Sequence, residues 1–215
     1  MICGFNACYD DLPVCSNCLP DLQGVLTARC VNCGRTPSLC QCTDSDKHRF
    51  AFFYKGSQAQ RLIYYIKTNL DGRAMDFLAE IAVSACGIKP GSYDGVTYVP
   101  RMRKRVRRYG HDQAKEFAEA ISKKYNIPLV HTLNRIGGKE QKLLSRSERL
   151  KNIIGRYSLL NEPDEKYKKL LIVDDIYTTG ATMKACVELL RGKVARSVVS
   201  LTFAKTNFED KKNRL

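Results

Sequence analysis

A chain of 215 residues with 44% hydrophobic residues holds enough apolar material for one medium domain and a small appendage, which excludes wholesale disorder. A net charge of +14 and a pI near 9.4 favour anionic partners, whether nucleic acid, anionic membrane or phosphorylated metabolites. No run of about eighteen apolar residues is present, and Met1 to Asp11 carry neither a basic run nor the apolar centre of an export signal, so a soluble, cytoplasmic protein without a transmembrane segment is expected.

The chain opens with a cysteine cluster. Eight of the ten cysteines fall between Cys3 and Cys42, while Cys86 and Cys186 stand alone in apolar, helix-like stretches. Cys3 and Cys8, Cys15 and Cys18, Cys30 and Cys33, and Cys40 and Cys42 form four close pairs. Two thiolates a few residues apart can occupy adjacent corners of a tetrahedron, so two pairs close one zinc shell. The simplest grouping puts the first four cysteines on one zinc and the last four on a second; interleaved pairing satisfies the spacing too. Without an export signal, metal ligation is favoured over disulfides. Four-thiolate sites leave no open position, so these zincs are expected to be structural. Residues 1 to 46 are short on apolar periodicity and rich in Cys, Asp, Pro and Asn, and are read as a zinc-binding module, followed by a main domain over 47–210 and a flexible tail over 211–215.

From Arg49 the pattern becomes that of an α/β domain. Phe50 to Tyr54 reads as an aromatic strand, and apolar residues at Leu62, Ile63 and Ile66, then Phe77, Leu78 and Ile81, predict two helices on either side of Gly72. Val96 to Val99 predicts a buried strand ended by Pro100, and a helix from Asp112 stops before Pro128. A short strand is predicted over Leu129 to Leu133 and a polar segment over Gly137 to Gly155. The strand Leu170 to Val173, a helix over Ala181 to Arg191 and the strand Ser197 to Phe203 follow. Strands alternating with helices predict a mainly parallel sheet, with a ligand site at the carboxyl ends of its strands.

The stretch from Leu171 to Thr182 carries the clearest chemistry. A buried strand runs into Asp174 and Asp175 and then into a small-residue turn, Thr178, Thr179, Gly180, Ala181 and Thr182, that opens a helix. Unpaired N–H groups at a helix start, with the helix dipole and threonine hydroxyls, form a phosphate cradle. Two acids beside such a cradle need hydroxyls or a cation, and a ribose 5-phosphate supplies the hydroxyls. Upstream, Arg101, Arg103, Lys104, Arg105, Arg107 and Arg108 place six cations in eight positions, which must pair with anions or stay solvated. Arg101 is the best placed for a pyrophosphate; the others are candidate contacts for a nucleic-acid backbone, whose affinity would fall steeply with salt. His48 and His131 are read as surface or hydrogen-bonded residues, and no chemistry is assigned to His111.

The 171–182 segment resembles the phosphoribosyl-pyrophosphate (PRPP) motif of type I phosphoribosyltransferases. That resemblance implies Asp174 and Asp175 on the ribose hydroxyls, Thr178 to Thr182 on the 5-phosphate, and PRPP bound with magnesium. Nearly the whole chain resembles the ComF family, which joins a cysteine-rich N-terminus to this domain and is associated with DNA uptake in natural transformation. The matching features are Val99, Pro100, the basic run, Gly110, Gln113 and Ala114, then Gln141, Leu144, Ser145, Glu148, Arg149, Asn152, Gly155 and Tyr157. His111-Asp112 departs from the usual Phe-Asn, and Tyr109 stands where an arginine is usual. The resemblance implies a type I phosphoribosyltransferase sheet behind a small zinc-ribbon-like module. It also implies a lid over Gly137 to Gly155, binding of PRPP or a related ribose phosphate, and single-stranded DNA as a partner. DNA-translocation machinery at the inner face of the membrane is a further implied partner. The alternative is an active phosphoribosyltransferase using an amine or nucleobase acceptor.

Overall fold

The structure, a computed structural model, describes residues 26–43, 47–54, 60–61, 63–64, 72–102, 106–107, 110–136, 155–161 and 165–206. Its five-stranded sheet has the order β1-β2-β7-β6-β3, where β1 is Leu26–Cys30, β2 His48–Phe53, β3 Gly95–Tyr98, β6 Tyr167–Tyr177 and β7 Ala195–Lys205. β1 is the antiparallel edge; the other neighbours are parallel. The strand of the cysteine segment is therefore hydrogen-bonded into the same sheet as the domain that follows.

Helices α1 (Gly72–Ala85), α2 (Gln113–Tyr125) and α3 (Ala181–Leu190) cover the sheet. β6 is buried on both faces. Leu171 and Val173 join the α1/α2 core with Leu78, Phe117 and Phe203, while Leu170 and Ile172 face α3 through Cys186, Val187 and Leu190. This is why its sequence reads as an unbroken apolar run. α2 buries Ala114, Phe117, Ala118 and Ile121, one helical stripe, and Asp112 caps it by accepting from the Ala114 and Lys115 N–H groups.

Four elements differ from the sequence expectation. β6 extends through Tyr177, because Asp174, Ile176 and Tyr177 stay paired with β7. The expected strand over Leu129 to Leu133 splits: Leu129 bridges Val96, and β4 (Leu133–Arg135) pairs instead with β5 (Tyr157–Leu159). The bridge is possible because a Cβ at Gly95 would lie 3.1 Å from Val130 and 3.3 Å from the Pro128 carbonyl. β1 and β5 were not expected at all. Leu62 and Ile66 of the first predicted helix, the lid residues 137–154 and the tail 211–215 lie outside the described residues.

Candidate ribose-phosphate cleft and cysteine cluster

A cleft of about 730 Å³ opens where β3 and β6 end. Asp174, Asp175, Thr178, Thr182 and Arg101 all line it, so residues 74 apart in sequence meet at one place. Burial, and then the neighbouring Asp175, push the Asp174 carboxyl well above its ordinary range. Arg101 answers that charge: its Nη2 donates to Asp175 Oδ2 at 2.5 Å. Its backbone N–H donates to Asp112 Oδ2 at 3.0 Å, and its Nε lies 4.0 Å from Asp112 Oδ1.

The turn after β6 leads into α3 through Gly180, the N-cap, at φ 76° with no side-chain cap. The Thr179 hydroxyl accepts from the Ala181 N–H at 3.4 Å, and Thr178 and Thr179 are exposed. Only glycine fits here: a Cβ at Gly180 would lie 1.9 Å from the Tyr177 hydroxyl, whose ring packs over the turn. Thr178 before the helix start and Thr182 in its first turn line the cleft, whereas Thr179, Gly180 and Ala181 do not.

The other walls come from segments the sequence did not assign to the site. Tyr54 and Tyr64 line one part, Gln113, Arg135 and Tyr157 another. Arg135 Nη1 donates to the Tyr157 hydroxyl at 2.9 Å, yet among the described residues its buried Nε has no partner, nor does Gln113 Oε1. Two buried polar atoms lining a cleft without partners are what a polar ligand would satisfy. Gln113 and Tyr157 carried a signal only within the ComF-like series. Of the DNA-contact candidates, Arg107 is exposed; Arg103, Lys104, Arg105 and Arg108 lie outside the described residues.

Cys30, Cys33, Cys40 and Cys42 converge with all four sulfurs within 4.8 Å of one another. Cys30 and Cys42 Sγ are 3.8 Å apart, Cys33 and Cys40 Sγ 3.7 Å. A tetrahedron with zinc–sulfur bonds of about 2.3 Å has edges of about 3.8 Å, so the sulfurs fit zinc as they stand. The Arg35 backbone draws Cys33 down to about 7, while the hydrogen bond to Cys33 pushes Cys42 up to about 12. Four neighbouring thiols cannot all ionise without a cation between them. Cys3, Cys8, Cys15 and Cys18 lie outside the described residues.

The model of the phosphoribosyl transferase domain matches residues 104–214, more than half of the chain. The chain belongs to this family. Over most of its length it is also homologous, at moderate identity, to competence protein ComFC. That of Streptococcus pneumoniae is 26% identical over 210 residues, covering 91% of this chain and 89% of the relative. That of Bacillus subtilis is 24% identical over 213 residues, covering 91% and 85%. Among solved structures, the allosteric regulatory enzyme of purine biosynthesis matches with a TM-score of 0.45 at 22% identity, over 66% of this chain. The chain spans 29% of that enzyme's length. Among the described residues, no helix of the phosphoribosyltransferase chain is long and apolar enough to cross a membrane.

Proposed function

We propose that this phosphoribosyltransferase-domain protein binds PRPP or a related ribose phosphate in the cleft and serves DNA uptake in natural transformation. Asp174 and Asp175 take the ribose hydroxyls, the turn from Thr178 to Thr182 takes the 5-phosphate, and Arg101 takes the pyrophosphate, which magnesium accompanies. Arg103, Lys104, Arg105, Arg107 and Arg108 hold the backbone of incoming single-stranded DNA in the cytoplasm, beside the translocation machinery. The observation that carries the reading is that the acid pair, Arg101, Thr178 and Thr182 share one cleft. Membership of ComFC-like sequences supports the DNA role.

The test is calorimetric titration of PRPP with magnesium into the wild type and into Asp174→Asn/Asp175→Asn. The variant loses affinity by about 100-fold or more, as expected for two charge-assisted contacts. Asp174→Asn alone gains a few degrees in melting temperature at neutral pH, because an acid whose folded pKa is raised loses stability as the pH climbs from its ordinary unfolded pKa towards the folded one. Unchanged affinity in the double variant would sink the reading. Pyrophosphate release measured with and without single-stranded DNA then separates a transferase from a ligand-sensing module.

A further inference from the structure

The described chain departs from the ComF-like pattern at Asp112, and the fold gives that departure a place. Asp112 is the N-cap of α2, so its carboxylate is fixed by the Ala114 and Lys115 N–H groups. From there it grips Arg101 at the backbone N–H and faces its Nε. Arg101, held from behind, spans to Asp175 and occupies Oδ2, while Asp175 Oδ1 accepts from the Ile176 N–H. The three side chains are all mostly shielded, at 20% exposure for Arg101, 15% for Asp175 and 11% for Asp112.

We propose that Asp112, Arg101 and Asp175 form a latch that makes the cleft selective for ligands carrying an anion beyond the ribose 5-phosphate. This rests on the ribose-phosphate reading of the cleft. Arg101 holds Asp175 Oδ2, one of the two oxygens of the carboxylate that this reading gives to the ribose hydroxyls. A ligand with only hydroxyls and a 5-phosphate must compete with the guanidinium for that carboxylate. A ligand whose second anionic group sits beside Arg101, such as a pyrophosphate, draws the guanidinium across and frees Asp175 in the same step. Anion and hydroxyl recognition are thereby coupled, and Asp112 is the positioning residue that keeps Arg101 within reach of both.

The test uses ribose 5-phosphate, pyrophosphate and PRPP as probes, each with magnesium, on the full chain at about 0.15 M salt, where long-range attraction is screened. In the wild type, saturating pyrophosphate tightens ribose 5-phosphate. Arg101→Ala weakens PRPP yet tightens ribose 5-phosphate by roughly threefold to tenfold, the scale of one partly shielded ion pair, and abolishes the coupling. A gain in affinity for an anion on removal of a cation is not what a merely structural or attractive arginine produces. Asp112→Asn keeps the cap, since Asn caps as well as Asp, and moves ribose 5-phosphate in the same direction by less. Equal weakening of all three probes by Arg101→Ala overturns the latch while leaving the ribose-phosphate site intact. Wild-type protein that binds none of the probes overturns the site and the latch together.

Discussion

The segment from Cys30 to Cys42 and the segment from Asp174 to Thr182 both carry polar side chains from the end of a strand into a turn, but they are held by opposite means. Cys30 is buried, whereas Cys33 is exposed and Cys40 and Cys42 half-buried, and the short 3₁₀ helix Pro37–Leu39 between them buries nothing. The turn after β6 rises from Leu170 to Val173, all fully buried between two helix layers. The cysteine segment has little core of its own and a cluster capable of holding a metal, whereas the turn after β6 is anchored by packing. The lesson is that polar chemistry can be positioned by a ligand or by packing, and the choice shows in what surrounds it.

Breaking the metal cluster gives the largest expected effect. Cys33→Ser/Cys40→Ser should lose one equivalent of zinc and all amide protection from Leu26 to Cys42, because the sulfurs supply the cross-links that the missing core does not. Amides of β6 and β7 should keep their protection, measured by hydrogen exchange on the same sample. Simultaneous loss in β6 and β7 would show that the two regions fold as one unit and would remove the contrast.

Gly180→Ala attacks the other turn and should cost about 2 kcal/mol or more, since a left-handed backbone with a Cβ is strained and the new carbon meets the Tyr177 ring. PRPP affinity should fall with it. Adding Tyr177→Ala should return the part of the cost due to the clash and leave the backbone part, so denaturant midpoints of the two singles and the double separate them. Full recovery in the double variant would mean that the backbone angle itself is unstrained.

The same contrast explains what could be read in advance. The acid pair, the glycine and the helix after it were legible because they are consecutive and each residue type is demanded by a local geometry. β7 and α2 were legible from apolar spacing. β1 was not: Leu26–Cys30 alternates apolar and polar residues, but a five-residue pattern inside the cysteine segment is too short to stand out, and its pairing with β2 could not be read locally. β5 owes its existence to β4, three residues long, and to the cation–ring contact of Arg135 with Tyr157. Arg135, Gln113 and Tyr54 enter the cleft from separate elements, and no local signal marks a residue whose role depends on where a distant strand ends. Asp112 was visible as an oddity, but its grip on Arg101 needed the fold.

The two turns are joined through His48, and the smallest predicted effect tests that joint. The Val31 N–H, beside the metal cluster, donates to the His48 carbonyl at 2.7 Å, and the His48 ring lies 4.2 Å from that of Tyr177, which covers Gly180. Nδ1 is 2.7 Å from the Ser200 hydroxyl and Nε2 3.2 Å from that of Thr202. Burial first, and Lys205 second, lower the ring's pKa from 6.5 to about 3. Because the folded value lies below the unfolded one, the unfolded chain binds the extra proton: stability is complete above about pH 6.5 and falls by about 1.4 kcal/mol per pH unit below it, until the folded ring itself protonates near 3. Denaturant midpoints at about pH 7.5 and pH 5.5 should therefore differ by about 1.4 kcal/mol more in the wild type than in His48→Gln, which can still hydrogen-bond the hydroxyls but cannot charge. PRPP affinity should hold between these two pH values, because the folded ring stays neutral until the pH nears 3 and Tyr177 keeps its place over the turn. Parallel pH profiles for the two proteins would locate the acid sensitivity elsewhere, and a fall in PRPP affinity over the same range in the wild type but not in His48→Gln would mean that the joint opens, and couples the cysteine segment to the turn after β6, well above the pH at which the folded ring charges.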